Sequence, residues 1–395
     1  MNILYHHRTR GHGAEGVHIM GIVNAFRKLN HKVTLLSLPG TVPEEKDQAK
    51  VDSKCQEMSH VASFSDFTHK LMEMTKYVPE FVFELIELAY NFVAYLRVGK
   101  QLKLEQADFL YERYSLFMFG GVLKARRMGR PVILEVNDAA IVERVRPLFF
   151  KKIASKIESW VFKNCDGIVF ISTNFKNTVE KAHGKIAPSV ICPNAADIEQ
   201  FSLVGVDRDQ AKKKLGLEGK VVCGYVGAFV YWHGIDWFVQ EIAPLLAAEP
   251  QLNLLLVGDG VVYSEILNVV NQNNLQGQVI MPGRVPHSEV KNYIAAMDYG
   301  ILPDSNEYGS PMKLFEMMAM GVALVSPSFE PIEEVVQDGF NGWLFPPNDK
   351  KSAVEQVIQL SKNQKNIKEV GCQAETYIIN ERQWTHNAEK VLTLL

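Results

Sequence analysis

The chain has 395 residues, of which 47% are apolar and 22% charged, and a formal net charge of −3 at pH 7. This length and composition predict a globular protein with two domains, and the weak negative charge gives no support for a nucleic-acid binder. No apolar run is long and charge-free enough to span a bilayer. The five cysteines lack metal-ligand spacing, which argues against a disulfide framework or a zinc site and favours a reducing, cytoplasmic location.

The first half of the chain alternates between predicted strands and helices. Strands are predicted at residues 2–5, 32–36, 107–111, 131–136, 167–172 and 189–192. The first strand leads into a loop that contains Gly11, Gly13 and Gly16, which allow a ligand to approach the backbone closely. No acidic residue closes the second strand, so the loop does not match the dinucleotide fingerprint and an NAD site is disfavoured.

Two helical segments of this half carry many aromatic residues. The pattern from Phe64 to Leu104 predicts helices that pack in the core, cover the sheet or border an acceptor pocket. The segment from Val145 to Asn164 predicts a helix in which lysines alternate with apolar and aromatic residues. Such a helix either lies on an anionic membrane surface or presents an ordinary solvated face. In the first case the protein is cytoplasmic and peripheral at the inner membrane face.

A second alternation begins at Lys220, after a polar, turn-rich connection. Strands are predicted at residues 221–226, 252–257, 278–281, 299–302 and 322–325, with helices near 234–246, 263–273, 288–297 and 311–320. Two alternating halves, each with a glycine-rich first loop, predict an α/β protein of two Rossmann-like domains with parallel sheets facing a central cleft. We place the domains at residues 1–200 and 201–375, followed by a C-terminal helical segment at 376–395.

The stretch from Glu307 to Gly321 predicts an anion site. Ser310 is a good N-cap, Pro311 suits the first helical turn, and Gly321 suits the end of the helix. The free amides of this helix start, with Lys313 beside them, would hold a diphosphate. A carboxylate one turn later, Glu316, could accept hydrogen bonds from ribose hydroxyls. The alternative is an ordinary capped helix with a solvated glutamate.

Six segments form a set that is specific when its members are taken together. They are Pro193 to Asp197 with Phe201, Gly224 to Gly234, Leu256 to Gly260, Gly283 to Pro286, Ser310 to Gly321, and Glu333 to Gly342. Jointly they resemble the retaining nucleotide-sugar glycosyltransferases of family 4, also called glycosyl transferases group 1. The resemblance implies the GT-B fold, with the acceptor in the N-terminal domain, the donor in the C-terminal domain, and a last helix that returns to the N-terminal domain.

The implied activity is transfer of a hexose-type sugar from a nucleoside diphosphate sugar, with a UDP-sugar favoured, to a carbohydrate or lipid-linked glycan acceptor. The resemblance implies retention of the anomeric configuration and no metal or other cofactor besides the nucleotide sugar. Cationic side chains and helix termini would stabilise the leaving diphosphate instead.

Position by position, the resemblance implies catalytic roles for Asn137, His233 and Lys313. Asn137 falls near the sugar, His233 stands where the family usually has a lysine on the diphosphate, and Lys313 supplies the main positive charge. The implied donor-binding residues are Gly11, Gly13, Gly227, His233, Arg284, Tyr308, Gly309, Ser310, Pro311, Met312, Lys313 and Glu316.

Three positions depart from the family pattern. Tyr308 replaces the first glutamate of the E-x7-E motif, Ala228 replaces an arginine, and His233 replaces the lysine. These departures keep open the alternative of a non-catalytic partner that binds a nucleotide sugar or glycan for another transferase. A nucleotide-sugar epimerase is a further alternative, and it would need acid/base carboxylates such as Glu135, Asp138 or Glu15.

Overall fold

The computed structural model describes residues 1–9, 13–37, 79–142 and 148–395. Residue contacts divide the chain into two units, Met1–Cys192 with Asn387–Leu395, and Pro193–His386. Each unit contains a six-stranded sheet in which all described pairings are parallel. The two-domain α/β architecture expected from the sequence is therefore confirmed, while the domain boundaries and roles proposed there stay a prediction.

The first unit is a sheet flanked by helices. Its strands are β1 (Asn2–His7), β2 (Lys32–Ser37), β3 (Phe109–Arg113), β4 (Val132–Val136), β5 (Gly167–Phe170) and β6 (Ser189–Ile191), and its helices are α1 (Ala14–Lys28), α2 (Glu80–Leu104), α3 (Gly120–Arg127), α4 (Lys151–Asn164) and α5 (Thr173–His183). The strand order is β2-β1-β3-β4-β5-β6. Strands β4 and β5 are buried along their length and, apart from Glu135, apolar, as expected for a parallel sheet that is covered on both faces.

The second unit has the doubly wound order of nucleotide-binding sheets. Its strands are β7 (Val221–Val226), β8 (Leu252–Val257), β9 (Val279–Gly283), β10 (Tyr299–Ile301), β11 (Leu324–Pro327) and β12 (Trp343–Phe345), and its helices are α6 (Arg208–Lys214), α7 (Ile235–Leu246), α8 (Tyr263–Gln272), α9 (His287–Ile294), α10 (Met312–Ala319), α11 (Glu330–Glu333), α12 (Lys350–Ser361) and α13 (Gln364–Glu381). The order β12-β11-β10-β7-β8-β9 reverses between β7 and β10. Ligands of such sheets bind at the carboxyl ends of the strands on either side of this reversal.

The last helix, α14 (Trp384–Leu392), returns to the first unit, as predicted. The Asn387 carbonyl lies 3.9 Å from the Cys192 sulfur. Further along, Leu394 packs so closely on β5 that a Cβ added to Gly167 would lie 2.8 Å from its side chain. The glycine at this strand position therefore allows the close approach of the C-terminal segment.

Some elements differ from the sequence expectation. The three-residue strand β12 and the short helix α6 were not predicted, because three or seven residues carry little periodic signal. Of the predicted helical region from Phe64 to Leu104, residues up to 78 lie outside the described part, and the rest forms α2. Helix α4 begins at Lys151 rather than Val145. No described helix is long and apolar enough to cross a membrane.

Candidate nucleotide-sugar site

The candidate site lies where the loops after β7 and β10 meet the start of α10. The loop after β7 packs tightly on the loop after β8, because the Gly227 amide donates to the Val257 carbonyl at 3.0 Å. A Cβ added to Gly258 would lie 1.8 Å from the Gly227 carbonyl oxygen, and Gly258 has φ of +151°. Glycine is required at this contact, and it brings backbone groups to the edge of the sheet where a ligand would bind.

The start of α10 differs from the prediction in its cap. Helix α10 begins at Met312, and Pro311 rather than Ser310 is the N-cap residue, with no side-chain cap. The Ser310 hydroxyl instead accepts a hydrogen bond from the Asn194 amide at 2.9 Å, and the Ser310 carbonyl accepts one from the Asn194 side chain. The prediction of Ser310 as N-cap is therefore wrong, since a residue distant in sequence binds its hydroxyl. The first amides of α10 remain without a side-chain acceptor.

The Lys313 side-chain amine forms no ion pair with a carboxylate in the described part of the chain. Its Nζ lies 2.9 Å from the Tyr225 hydroxyl oxygen and 4.5 Å from the centre of the Tyr225 ring. Burial lowers the pKa of Lys313 to about 7, although the charge of Glu316 acts in the opposite direction. An anionic ligand would stabilise a half-buried ammonium group beside the uncapped N-terminus of a helix.

His233 is held as a neutral hydrogen-bond donor beside Lys313. Its Nδ1 lies 2.8 Å from the Ala228 carbonyl oxygen and 3.2 Å from the Tyr225 hydroxyl. Burial, together with the neighbouring Lys313 charge, lowers the pKa of His233 to about 4. The Tyr225 hydroxyl donates to the same Ala228 carbonyl at 3.0 Å. His233 therefore does not replace the family's lysine as a charge at neutral pH, whereas Lys313, with a pKa of about 7, is partly protonated there.

Glu316 is bound by a residue that sequence reasoning missed. Glu316 is 7% exposed, and its Oε1 lies 3.0 Å from Nε2 of His287 at the start of α9. The other ring nitrogen of His287 lies 3.0 Å from the side-chain amide of Gln200. The hydrogen bond with Glu316 raises the pKa of His287, against the effect of burial. No local motif signals this chain of three polar residues, because they come from segments 29 and 87 residues apart.

The remaining predicted residues of this unit occupy the same sheet edge with different contacts. A Cβ added to Gly227, which has φ of +147°, would lie 2.7 Å from Lys313 Nζ, so Gly227 borders the cation directly. A Cβ added to Gly309 would likewise clash with the Asn306 side chain. The Tyr308 amide donates to the same Asn306 side chain at 3.3 Å. Arg284 directly follows β9 and is exposed.

In the first unit, Gly13 directly precedes α1 and Asn137 directly follows β4, whereas Gly11 lies outside the described residues. Gly13 precedes α1 with φ of +59°, and its carbonyl accepts the Val17 amide at 3.1 Å. The Asn137 side chain donates to Glu135 Oε1 at 2.6 Å. Their proposed contacts with donor sugar and diphosphate stay predictions.

Glu135 is a buried ionised carboxylate rather than a free acid or base. It accepts hydrogen bonds from Arg113 and, at 3.1 Å, from the Tyr5 hydroxyl, and it lies 3.1 Å from His18 Nε2. Burial alone would raise the pKa of Glu135, but His18 and Arg113 lower it well below its usual value. A carboxylate engaged in this way orients Asn137, and it does not provide the proton exchange that an epimerase requires.

Comparison with known proteins agrees with this architecture. The family model "Glycosyl transferases group 1" matches residues 220–363, and "Glycosyltransferase Family 4" matches residues 15–200. A glycosyltransferase of Methanocaldococcus jannaschii is 26% identical over 72% of this chain and 74% of its own. The 2-deoxystreptamine glucosyltransferase of Streptomyces kanamyceticus is 26% identical over 48% of this chain and 51% of its own. The crystal structure of Anabaena HepE in complex with UDP-glucose matches all of both chains with a TM-score of 0.71 at 14% identity.

Two α/β units, each built on a six-stranded parallel sheet, give the chain the GT-B fold. The chain belongs to the family 4, group 1 glycosyltransferases, because the two family models together match most of its length.

Proposed function

We propose that the protein is a retaining glycosyltransferase that moves a hexose-type sugar from a UDP-sugar to a hydroxyl of a carbohydrate or lipid-linked glycan, without a metal ion. The observation that carries the proposal is the ammonium of Lys313, unpaired by any described carboxylate, at the start of α10. UDP and a hexose are supported by HepE, which was crystallised with UDP-glucose, and by the name of the related glucosyltransferase.

In this proposal the donor lies along α10. The amides of Met312 and Lys313 and the Lys313 ammonium bind the diphosphate, which the Gly227 backbone can approach because it carries no side chain. One turn further, Glu316 accepts hydrogen bonds from the ribose hydroxyls, and the exposed Arg284 borders the base. Each contact uses a group that the second unit already presents at its strand ends.

The proposed reaction breaks the bond between the anomeric carbon and the β-phosphate oxygen and forms one between that carbon and the acceptor oxygen. Attack occurs from the face that the diphosphate leaves, so the configuration is retained. The departing diphosphate takes the proton of the acceptor hydroxyl. Because negative charge develops on the leaving oxygen, the Lys313 ammonium and the helix amides stabilise the transition state more than the ground state.

The function is tested with a panel of UDP-, GDP- and ADP-sugars, by thermal shift and by hydrolysis with and without glycan acceptors. We expect a UDP-hexose to stabilise the protein and to be cleaved in the presence of EDTA, with an α-linked product visible by NMR from an α-linked donor. Absence of cleavage of every donor would contradict the proposal. Turnover that appears only with a second protein would indicate the non-catalytic partner, and an epimeric sugar formed without acceptor would indicate an epimerase.

Binding of the donor is expected to take up a proton above neutral pH. Free Lys313 has a pKa of about 7 because of burial, and a bound diphosphate would raise it. At pH 8 the binding of UDP-glucose should therefore take up close to one proton, and at pH 6 almost none. Calorimetry in buffers of different ionisation enthalpy measures this number. Equal uptake at both pH values, or undiminished uptake in the Lys313→Met variant, would contradict it.

His287 is expected to act as a positioning residue for Glu316. The variant His287→Ala removes the donor that holds one carboxylate oxygen, a hydrogen bond to a charged group worth about 1.5 kcal/mol, so the donor KM should rise roughly tenfold. The value of kcat should change little, because the ribose does not react. Glu289→Ala, an exposed residue of the same helix, is the matched control. An unchanged KM, or a loss confined to kcat, would contradict this role.

A further inference from the structure

Helix α2 exposes a continuous stripe of apolar side chains. The stripe consists of Phe81, Leu85, Phe92 and Leu96, whose spacing of four, seven and four residues places them on one helix face. Phe92, the most exposed, is 70% accessible. The opposite face of the helix, which includes Ala94, Val98 and Leu102, is buried in the core. Helix α2 is therefore anchored on one side and apolar on its outer side.

Helix α4 continues this apolar surface. Phe149, Ile153 and Trp160 follow each other at helical spacing and are exposed, Phe149 by 65%. The rings of Phe81 and Phe149 lie 5.8 Å apart, which joins the two stripes. We call the two stripes together the α2–α4 surface. Contiguous apolar surfaces of this kind mark interaction sites more often than scattered exposed residues do.

The charges on these helices are sorted by sign. Four lysines of α4 are exposed, and α2 adds two more; they are Lys151, Lys152, Lys156, Lys163, Lys100 and Lys103. Among the described residues none of the six forms an ion pair with a carboxylate. The described carboxylates of these two helices point inward. Glu158, fully buried, accepts from the Tyr114 hydroxyl at 2.9 Å and lies 2.8 Å from His183 Nε2.

The acidic residues of α2 whose side chains are described are also used inside the unit. Glu84, 3% exposed, accepts the Phe149 and Phe150 amides at 2.7 Å each and so fixes the two residues that precede α4. Glu87 lies 3.5 Å from the Arg8 guanidinium. In a chain of net charge −3, the α2–α4 surface is thus locally cationic and apolar.

We propose that the α2–α4 surface docks on an anionic lipid bilayer. The aromatic and aliphatic side chains would enter the boundary between headgroups and acyl chains, and the lysines would contact the anionic headgroups. A second copy of the chain fits less well, because lysine is depleted in protein interfaces and a two-fold contact would bring like charges together. The proposal extends the membrane contact that the sequence suggested for the segment from Val145 to Asn164, and it does not depend on the identity of the donor.

The test measures partition of the whole protein onto vesicles of phosphatidylcholine alone and of phosphatidylcholine with 30% phosphatidylglycerol. We expect binding to the anionic vesicles only, weakening with salt. Lys152→Gln with Lys156→Gln should lower the partition coefficient about 25-fold, roughly fivefold per lysine. Phe92→Ser and Phe149→Ser should each lower it about tenfold.

Matched controls lie in the second unit. Lys213→Gln with Lys214→Gln removes the same charge from the exposed end of α6, and Leu267→Ser removes an exposed apolar side chain from α8. Both controls should bind vesicles as the unchanged protein does. Hydrolysis of the nucleotide sugar in detergent-free solution should be equal in all variants, which separates this proposal from the proposed function.

Three results would overturn the proposal. The first is failure of the unchanged protein to bind anionic vesicles. The second is equal loss of binding in the surface variants and the controls, which would indicate nonspecific charge attraction. The third is a dimer in light scattering that dissociates in Phe92→Ser while vesicle binding is unaffected, which would assign the surface to a second copy of the chain.

Discussion

Replacing Lys313 with methionine is expected to lower kcat/KM for sugar transfer by about 10²–10³-fold. This is the typical loss on removal of one group that stabilises developing negative charge in an active site. Methionine keeps the length and packing of the side chain but loses the ammonium that lies 2.9 Å from the Tyr225 hydroxyl. Initial rates of UDP release with acceptor present measure the effect.

Loss of the ammonium from the site can be distinguished from unfolding of the variant. Burial of an unneutralised ammonium is unfavourable, so its removal should not destabilise the fold. The melting temperature of Lys313→Met without ligand should be unchanged or higher than that of the unchanged protein. The control is Lys368→Met on the exposed face of α13, which should retain full activity. Near-normal kcat/KM in Lys313→Met would mean that the leaving group is stabilised elsewhere.

Replacing Glu316 with alanine is expected to abolish most of the thermal stabilisation by a UDP-sugar. At a hundred times its dissociation constant, a ligand stabilises the native state by about 2.7 kcal/mol. Loss of hydrogen bonds from ribose to a carboxylate, at about 1.5–3 kcal/mol each, would weaken binding by ten- to more than a hundredfold. The exposed Glu369→Ala is the matched control.

A deoxyribose donor makes this prediction specific to the ribose. For the unchanged protein, 2′-deoxy-UDP-glucose should bind more weakly than UDP-glucose. In Glu316→Ala the two donors should bind equally, because the carboxylate that would accept from the 2′-hydroxyl is gone. The double cycle of variant and donor therefore isolates the interaction between Glu316 and the 2′-hydroxyl. If the deoxy donor still loses the same affinity in the variant, Glu316 does not bind the 2′-hydroxyl.

Much of the fold was predictable because it depends on local patterns. The bounds of β7 and β8 agree with their apolar runs, and those of most other elements agree to within a few residues. Gly321, predicted at the end of α10, has φ of +65°, the left-handed conformation that glycine adopts without strain. The start of α10 was misplaced because its N-cap depends on what else competes for the Ser310 hydroxyl, and that competitor, Asn194, is 116 residues away.

The chemistry of the site was only partly predictable. The sequence placed Lys313 and Glu316 one turn apart on a helix, and the structure confirms that placement. It placed His233 where the family usually has a lysine, but the charge state of His233 became clear only in the structure, where burial and the neighbouring Lys313 lower its pKa to about 4. The pKa of a side chain depends on desolvation and neighbouring charges, which residue type and spacing do not specify. The role of His287 was not predicted, because its contact with Glu316 forms only in the folded chain.

The sequence by itself determined the α/β class, the two alternating halves, and the family, because hydrophobic periodicity, turn glycines and motif spacing are properties of neighbouring residues. The tertiary structure alone decided which charges are paired. It buries Glu84 and Glu158 against backbone amides and side-chain donors while the nearby lysines stay exposed, and it leaves Lys313 without a carboxylate partner among the described residues. These outcomes depend on contacts between segments distant along the chain, and such contacts form only when the sheets and helices pack.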